Sequence, residues 1–331
     1  MKKFLKWLLV FGLAVWLLCF VLTLFAGKKA DKIVYGATFS YPYAQSLGLD
    51  WKAAYTAMLS ELNLKYVRIP AYWNATEPKQ GELDFSNLDF QMDEAKAHNV
   101  KVLLAVGRRL PRWPECHEPG WFKDLPSKSS QENAQMAFVA AVVSRYAGNS
   151  ALYAWQVENE PFLDGFGECP KADTALLDKE IALVKSTDPA HPVLVSDSGE
   201  LSLWIKSGRR GDLFGTTLYR FVFSDVFKRY WVNYIPYWFY RVKAGFLRIL
   251  NSGKPIMIVE LQAEPWTTKG ILKTPIEEQF MTMSTQKFDT MISVAKATGF
   301  SPQYLWGVEW WYWMKQQGHP EFWDKVRQLS Q

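Results

Sequence analysis

Two glutamates close apolar runs that lie far apart in the chain. Glu160 follows the run at residues 151–157, with Asn159 before it and a proline after it, and Glu260 follows the run at residues 255–259. A carboxylic acid that a buried strand holds beside an amide suits a general acid poised over a pocket. Two carboxyl groups of this kind are the minimum that breaking a glycosidic bond requires. The pattern therefore indicates glycosidic chemistry, with Glu160 and Glu260 as the catalytic pair.

The elements that must position these glutamates alternate between short apolar runs and longer amphipathic segments, which is typical of a β/α architecture. We predict strands at residues 33–39, 66–69, 100–106, 152–157, 193–195, 213–218, 256–259 and 304–308. We predict helices at residues 51–63, 86–98, 131–147, 172–186, 201–207, 240–251, 276–297 and 321–329. Eight of each predict a (β/α)8 TIM barrel. A doubly wound sheet is the alternative, but no glycine-rich phosphate loop follows the first strand.

The helix at residues 276–297 carries clear boundary signals. Thr274, Pro275 and Glu277 match an N-cap, a first-turn proline and a capping-box glutamate, and Gly299 matches a helix end. This helix is therefore expected to run without a break.

Further side chains capable of binding a sugar follow the predicted strands. They are Arg68 after the second strand, Trp113 after the third, Asn159 after the fourth, Tyr219 at the end of the sixth, and Trp306, Glu309 and Trp310 in the eighth. In a barrel, the carboxyl ends of all strands meet on one face. A guanidinium, an amide, a phenol and indoles on that face suit a neutral polyhydroxylated ligand, so we predict these residues to bind substrate.

These positions resemble glycoside hydrolase clan A, the retaining (β/α)8 glycosidases that include the cellulase-like families. The resemblance rests on Asn159-Glu160-Pro161, on Arg68 within Tyr66-Val67-Arg68-Ile69-Pro70, on Tyr219, on Glu260, and on the segment at residues 77–89. It implies that Glu160 is the acid/base and Glu260 the nucleophile. It also implies that Asn159 bonds the sugar's 2-hydroxyl, that Tyr219 positions the nucleophile, that Arg68 keeps Glu260 ionised, and that Trp306 floors the sugar site.

Two other glutamates compete for the catalytic roles. Glu158 lies beside Asn159, but strand alternation should turn it away from Glu160. Glu264 lies beyond the end of the seventh strand and is the alternative nucleophile.

The N-terminal segment at residues 1–27 predicts a membrane anchor. Residues 7–26 are uncharged and mostly apolar, which is enough to span a bilayer. Lys2, Lys3 and Lys6 lie before this run and favour a cytoplasmic N-terminus. We therefore expect a single-pass protein of the cytoplasmic membrane with its catalytic domain outside. A cleaved signal and a secreted protein are the alternative, but the residues at the potential cleavage sites fit a signal peptidase poorly.

The cysteines agree with export. Cys116 and Cys169 lie in loops after successive strands, and such loops are neighbours in a barrel, so we predict a disulfide between them. Two unpaired thiols are the alternative.

The remaining body, residues 33–331, is predicted to be one catalytic domain. It contains an aromatic-rich insert at residues 221–246, where basic side chains are interspersed among aromatic ones. This composition suits an element that touches lipid or covers the cleft, and a helical excursion packed on the barrel is the alternative.

Charge and composition limit the function classes. Most of the formal charge of +5 lies in the N-terminal segment, and a nearly neutral body argues against nucleic-acid binding. No spacing of histidines or cysteines suggests a metal site, and no cofactor is implied. We therefore predict a monomeric retaining glycoside hydrolase that cleaves a β-linked oligo- or polysaccharide. An envelope transglycosylase and a catalytically silent glycan-binding scaffold are the alternatives.

Overall fold

The computed structural model describes residues 2–224, 227–250 and 253–331. Its strands are β1 (Tyr35–Thr38), β2 (Tyr66–Pro70), β3 (Lys101–Val106), β4 (Leu152–Val157), β5 (Val193–Asp197), β6 (Leu213–Leu218), β7 (Phe221–Ser224), β8 (Arg229–Val232), β9 (Ile256–Gln262) and β10 (Gln303–Trp306). Eight of them are parallel and close a barrel in the order β1-β10-β9-β6-β5-β4-β3-β2, which confirms the predicted TIM barrel. β7 and β8 form a separate antiparallel hairpin.

The helices alternate with the barrel strands. They are α1 (Lys2–Phe25), α2 (Tyr41–Ser46), α3 (Trp51–Glu61), α4 (Trp73–Thr76), α5 (Ser86–Ala97), α6 (Lys128–Tyr146), α7 (Thr174–Thr187), α8 (Ile205–Gly208), α9 (Tyr237–Leu250), α10 (Ile276–Gln279), α11 (Thr285–Thr298), α12 (Val308–Gln316) and α13 (Glu321–Leu329). Short 3-10 turns lie at Gly120–Asp124 and Ile271–Lys273.

The barrel strands are apolar because both of their faces are covered. Alternate side chains fill the barrel interior in a small cluster of Leu103, Ala154, Leu194, Leu213, Met257, Val259 and Tyr304. The intervening side chains belong to a larger core between the strands and the surrounding helices. Arg68 alternates with the apolar Val67 and Ile69 of β2, so the same alternation directs its guanidinium into the barrel.

The eighth barrel strand is shorter than predicted, and the prediction of strand through residue 308 is wrong. β10 ends at Trp306 because Gly307, at a φ of 137°, turns the chain into α12. Glu309 and Trp310 therefore lie on a helix, and Trp310, Trp311 and Met314 recur at helical spacing on its buried face.

The predicted unbroken helix at residues 276–297 is also wrong. α10 is a single turn whose preceding Thr274 makes no cap contact to it, since its hydroxyl donates to Gly270 O at 2.8 Å. The long helix α11 begins after Ser284, whose hydroxyl accepts a hydrogen bond from Lys287 N at 3.3 Å. Gly299 ends this helix with a φ of 72°, which confirms that part of the prediction.

The insert comprises the β7–β8 hairpin and most of α9. The side-chain amide of Gln262 joins the hairpin to the barrel, because its oxygen accepts from Phe221 N at 3.0 Å and its nitrogen donates to Phe221 O at 2.7 Å. α9 buries Tyr240, Ala244 and Leu247 and is thus packed as a barrel helix. Residues 225–226 of the insert, and residue 251 at the predicted helix end, lie outside the described residues.

The N-terminal helix α1 is long and apolar enough to cross a membrane. Every residue from 3 to 18 is exposed, whereas Leu22 near its carboxyl end packs closely on α9, where a Cβ on Gly245 would lie 1.8 Å from Leu22 O. The link to β1 is bound near the amino end of β10. Ala30 N donates to Gly299 O at 2.9 Å, and Val34 N donates to Ser301 Oγ at 3.0 Å.

Candidate active site

Arg68 is the centre of a hydrogen-bond network at the carboxyl end of the barrel. Its side chain is completely buried and donates to three side-chain acceptors: Nε to Gln156 Oε1 at 2.8 Å, Nη2 to Asn159 Oδ1 at 2.7 Å, and Nη1 to Glu260 Oε1 at 2.8 Å. Nη1 also donates to the backbone oxygen of Val259 at 3.3 Å. A guanidinium can serve several acceptors because its five N–H groups form a rigid planar fork. Arg68 thus brings residues from β4, β9 and the turn after β4 into one fixed arrangement.

Glu260 lies within β9 rather than at its end. One carboxylate oxygen accepts from Arg68, and the other accepts from the Tyr219 hydroxyl at 3.0 Å. Burial, followed by the negative charge of Glu260, raises the pKa of Tyr219 well above its ordinary value, so this phenol stays protonated and remains a donor. Both oxygens of Glu260 are therefore oriented by donors.

Glu160 lies in a different environment. Its backbone adopts a left-handed φ of 42°, and its carboxylate accepts from the Thr217 hydroxyl at 3.2 Å. Thr217 of β6 is the register partner of Glu260, so the two glutamates lie on either side of this threonine. Burial raises the pKa of Glu160 well above its ordinary value, and the negative charges of Glu260 and Glu115 raise it further. Glu160 is thus a carboxyl group that retains its proton beside an anchored carboxylate.

Glu115, which the sequence reasoning did not identify, is a third carboxyl group in the site. It is buried in the loop after β3, and its Oε2 accepts from Asn159 Nδ2 at 3.2 Å and lies 3.8 Å from Arg109 Nε. Burial, followed by the charge of Glu260, raises the pKa of Glu115 to about 8. The adjacent Cys116, already expected to tie down this loop, was the available sequence signal.

Arg112, also missed, extends from the same loop across the barrel mouth. Its guanidinium lies between two rings, 3.8 Å from the Tyr43 centroid and 4.2 Å from the Trp306 centroid. It pairs with Glu264, and its Nη2 donates to Glu309 Oε2 at 2.7 Å. The side chain is buried, and it fills the space between these four residues.

The predicted sugar-binding aromatic residues have different positions. Trp306 lies at the mouth, 8% exposed, with Arg112 over its ring and its Nε1 donating to Glu264 Oε1 at 2.8 Å. Trp113 is 65% exposed on the loop after β3. Trp310 is fully buried, packs on Phe322 and donates to Gln279 Oε1 at 2.7 Å, so its prediction as a substrate contact is wrong.

Glu309 is also wrongly predicted as a direct sugar contact. It is fully buried, accepts from Ser40 N and pairs with Arg112, because α12 turns it beneath the mouth. It thus supports Arg112 instead of facing the cleft.

The alternative catalytic glutamates are engaged elsewhere. Glu158 points away from Glu160, with its carboxylate accepting from Arg108 N at 2.8 Å and Arg109 N at 2.7 Å. Glu264 is bound to Arg112 and Trp306.

A disulfide links the loops after β3 and β4. Cys116 and Cys169 are joined with a Cα–Cα distance of 5.3 Å and a sequence separation of 53. This bridge fixes the loop that carries Arg112 and Glu115 to the loop that follows Glu160. Within the described residues, no group of three or more histidine, cysteine, aspartate or glutamate side chains is arranged to hold a metal ion.

The chain matches a family model described as cellulase (glycosyl hydrolase family 5) over residues 36–233, more than half of its length. The match includes Arg68, Asn159, Glu160 and Tyr219 but ends before Glu260.

Among curated relatives, the mannan endo-1,4-beta-mannosidase A of Aspergillus aculeatus is 32% identical over 122 residues, which is 34% of this chain and 31% of the relative. The endo-1,4-beta-xylanase 2 of Claviceps purpurea is 32% identical over 90 residues, which is 27% of this chain and 26% of the relative. The matched segments thus span about a third or less of these relatives.

Among solved structures, the cold-adapted beta-galactosidase from Rahnella sp. R3 superposes with a TM-score of 0.59 at 16% identity. The alignment covers 92% of this chain and 56% of that one, and it shows a shared fold.

Proposed function

Because the chain belongs to the cellulase family (glycosyl hydrolase family 5), we propose that it is a retaining glycoside hydrolase that cleaves a β-linked glycan by double displacement. The observation that carries the proposal is the contrast between two neighbouring carboxyl groups. Glu160 is buried so that it keeps its proton, whereas Glu260 accepts from a cation on one oxygen and from a phenol on the other. Such a pair can supply both an acid and a nucleophile.

In the first step, a carboxylate oxygen of Glu260 attacks the anomeric carbon while the bond to the leaving oxygen breaks. Glu160 donates its proton to that oxygen, and a covalent glycosyl-enzyme forms. In the second step, Glu160, now ionised, takes a proton from water. The resulting hydroxide displaces Glu260 from the anomeric carbon and restores both carboxyl groups to their starting state.

The surrounding residues assist these steps. Arg68 and Tyr219 orient Glu260, and Arg68 also holds Asn159. Asn159 is proposed to bond the sugar's 2-hydroxyl. We propose that Trp306 and Trp113 are the aromatic side chains that contact sugar. The names of the curated relatives, a mannan endo-1,4-beta-mannosidase and an endo-1,4-beta-xylanase, support β-linked polysaccharides as the substrate class.

We further propose that α1 holds this domain on the outer side of the cytoplasmic membrane. The exposed apolar surface of residues 3–18 and the close packing of Leu22 on α9 support an anchor that continues into the body. The Cys116–Cys169 bridge supports an oxidising compartment.

A panel of aryl β-glycosides and β-linked polysaccharides tests the enzymatic proposal. We expect turnover by the wild-type protein and, because the nucleophile is lost, a decrease of about 10⁴-fold or more in Glu260→Ala. A 2-fluoroglycoside should label Glu260, and azide should restore turnover of a substrate with a good leaving group in Glu160→Ala. Wild-type rates in both variants would reject these roles, whereas oligosaccharide products longer than the substrate would favour transglycosylation.

A further inference from the structure

From the position of Arg112 we infer that the enzyme removes single sugars from the non-reducing ends of glycans, because the part of the cleft beyond the cleaved sugar is closed. This inference rests on the proposed glycosidase function and specifies its mode of attack.

The argument begins with the direction of the substrate. A general acid protonates the oxygen of the bond that breaks, so the leaving group lies beside Glu160. Glu160 follows β4, and the barrel order places β10 directly across the ring from β4. The cleaved sugar therefore lies between Glu160 and the carboxyl end of β10. Any preceding sugar of a longer chain would extend past Trp306.

That side of the mouth is filled by a cluster that we call the Arg112 wall. Its members are Arg112, Tyr43, Trp306, Glu264 and Glu309. They come from the regions that follow β1, β3, β9 and β10, so the cluster crosses the mouth from one side to the other. Each member is less than 10% exposed, except for the partly buried Tyr43.

The Arg112 wall is held firmly. Arg112 is ion-paired with both Glu264 and Glu309 and stacked between two rings. Its own carbonyl oxygen lies 3.0 Å from His117 Nε2, and the Tyr72 hydroxyl lies 2.9 Å from Pro111 O. Moving Arg112 aside would leave two buried carboxylates without their cation, which is strongly unfavourable.

The disulfide completes the support. Cys116 follows Arg112 by four residues and ties the loop to Cys169. A sugar bound over Glu260 would therefore meet the Arg112 wall at its non-reducing side, and the remainder of the glycan would extend past Glu160 as the leaving group.

Product analysis of the wild-type full-length protein in detergent tests this inference. The probes are hexasaccharides of β-1,4-mannan, xylan, cellulose and galactan with borohydride-reduced ends, together with 4-nitrophenyl β-glycosides of their sugars. We expect monosaccharide and the reduced oligosaccharide shortened by one unit as the first products. Release of disaccharides or larger fragments from the non-reducing side at the earliest times would overturn the inference while leaving the glycosidase function intact. Absence of hydrolysis of every probe would overturn both.

An Arg112→Ala variant adds an independent readout. Opening the wall should lower the preference for 4-nitrophenyl monosaccharides over polysaccharide by at least tenfold and should release fragments longer than one sugar. Arg145→Ala, which removes a paired arginine far from the mouth, is the matched control and should keep the wild-type products. An Arg112→Ala protein that is folded by circular dichroism and still releases single sugars would contradict the role of Arg112. If that variant does not fold, the wild-type product pattern still decides the question.

Discussion

Arg68 Nη1 lies 2.8 Å from Glu260 Oε1, and both side chains are almost completely buried. A buried ion pair of this kind is costly to break from one side, since the remaining charge loses its partner. Because the same guanidinium also donates to Gln156 and Asn159, it joins Glu260, the proposed nucleophile, to the rest of the site.

Two substitutions of Arg68 distinguish the contribution of its positive charge from that of its planar guanidinium. Arg68→Lys keeps a cation but can reach fewer of the three acceptors, so we expect kcat/KM to fall by about 100-fold or more, which corresponds to about 3 kcal/mol of transition-state stabilisation. Arg68→Ala should lower the free energy of unfolding by about 3–5 kcal/mol. Steady-state kinetics and chemical denaturation measure the two effects, and Arg145→Lys on the protein surface is the control. Unchanged kcat/KM in Arg68→Lys would contradict the role of the planar fork.

Glu115 should affect the pH dependence of the reaction. Above its own pKa of about 8, Glu115 carries a negative charge that raises the pKa of Glu160. Glu160 must be protonated to act as the proposed acid, so activity is lost as pH rises through the pKa of Glu160. Glu115→Gln removes this charge while keeping an acceptor for Asn159. The basic limb of the kcat/KM profile should therefore move to lower pH. Glu132→Gln, which alters a surface carboxylate, is the control and should leave the basic limb in place. A basic limb that does not move in Glu115→Gln would refute an effect of Glu115 on the pKa of Glu160.

A second carboxyl pair should control stability against pH. Glu158 and Glu180 are buried together, and Gln135 Nε2 donates to both, at 3.1 Å and 2.6 Å. Burial raises the pKa of Glu180 well above its ordinary value, and the charge of Glu158 raises it further. A carboxyl group whose pKa is raised on folding stabilises the protein fully below its unfolded pKa, and this stabilisation is lost as pH rises through the folded pKa.

Glu180→Gln mimics the protonated acid and removes this dependence. Between pH 5 and pH 8 its Tm should fall less than that of the wild type, and at pH 8 the variant should be the more stable of the two. Scanning calorimetry across this range is the measurement, with the exposed Glu321→Gln as the control. Parallel Tm curves for variant and wild type would contradict a raised pKa of Glu180 in the folded protein.

The Cys116–Cys169 bridge should stabilise the protein by reducing the conformational freedom of the unfolded chain. Its loss in a Cys116→Ser/Cys169→Ser variant should lower the free energy of unfolding by about 2–4 kcal/mol. Cys19→Ser, within the exposed α1, should leave the barrel's stability unchanged. Thiol titration of the unreduced, denatured full chain should detect the Cys19 thiol alone, and detection of three thiols would disprove the bridge.

The anchor proposal predicts that full-length protein floats with liposomes. Leu13→Arg/Leu17→Arg should abolish flotation, because each arginine in the middle of a bilayer-spanning helix costs about 2.5–3.5 kcal/mol. Leu13→Ile/Leu17→Ile is the matched control and should float. A mature protein whose sequenced N-terminus lies beyond residue 27 would show instead that the segment is a cleaved signal.

Much of this architecture could be predicted from periodicity, since buried parallel strands and amphipathic helices alternate along the chain. The same reasoning located Arg68, Asn159, Tyr219 and Glu260, because residues near the carboxyl ends of the strands converge in any barrel. It did not distinguish the two structures that the run at residues 306–311 can form. Over so few residues, the same apolar pattern fits both a strand and a helix. Gly307 turns the chain and so determines that the helix forms.

Arg112 and Glu115 could not be located from the sequence by such patterns. Both lie in an irregular loop with left-handed backbone, at φ of 83° and 72°, where no period relates neighbouring side chains. Their positions depend on partners distant in the chain, such as Glu309 and Asn159, and therefore on the completed barrel.

The link between α1 and β1 meets the body near the amino end of β10, whereas the catalytic glutamates stand at the carboxyl end of the strands. Barrel strands of four to seven residues hold these two levels about 13–23 Å apart. If α1 is embedded in a bilayer as proposed, the length of the barrel separates the mouth from the anchored end of the domain. We therefore expect the proposed enzyme to reach glycan termini that project away from the membrane more readily than those that lie against the lipid headgroups.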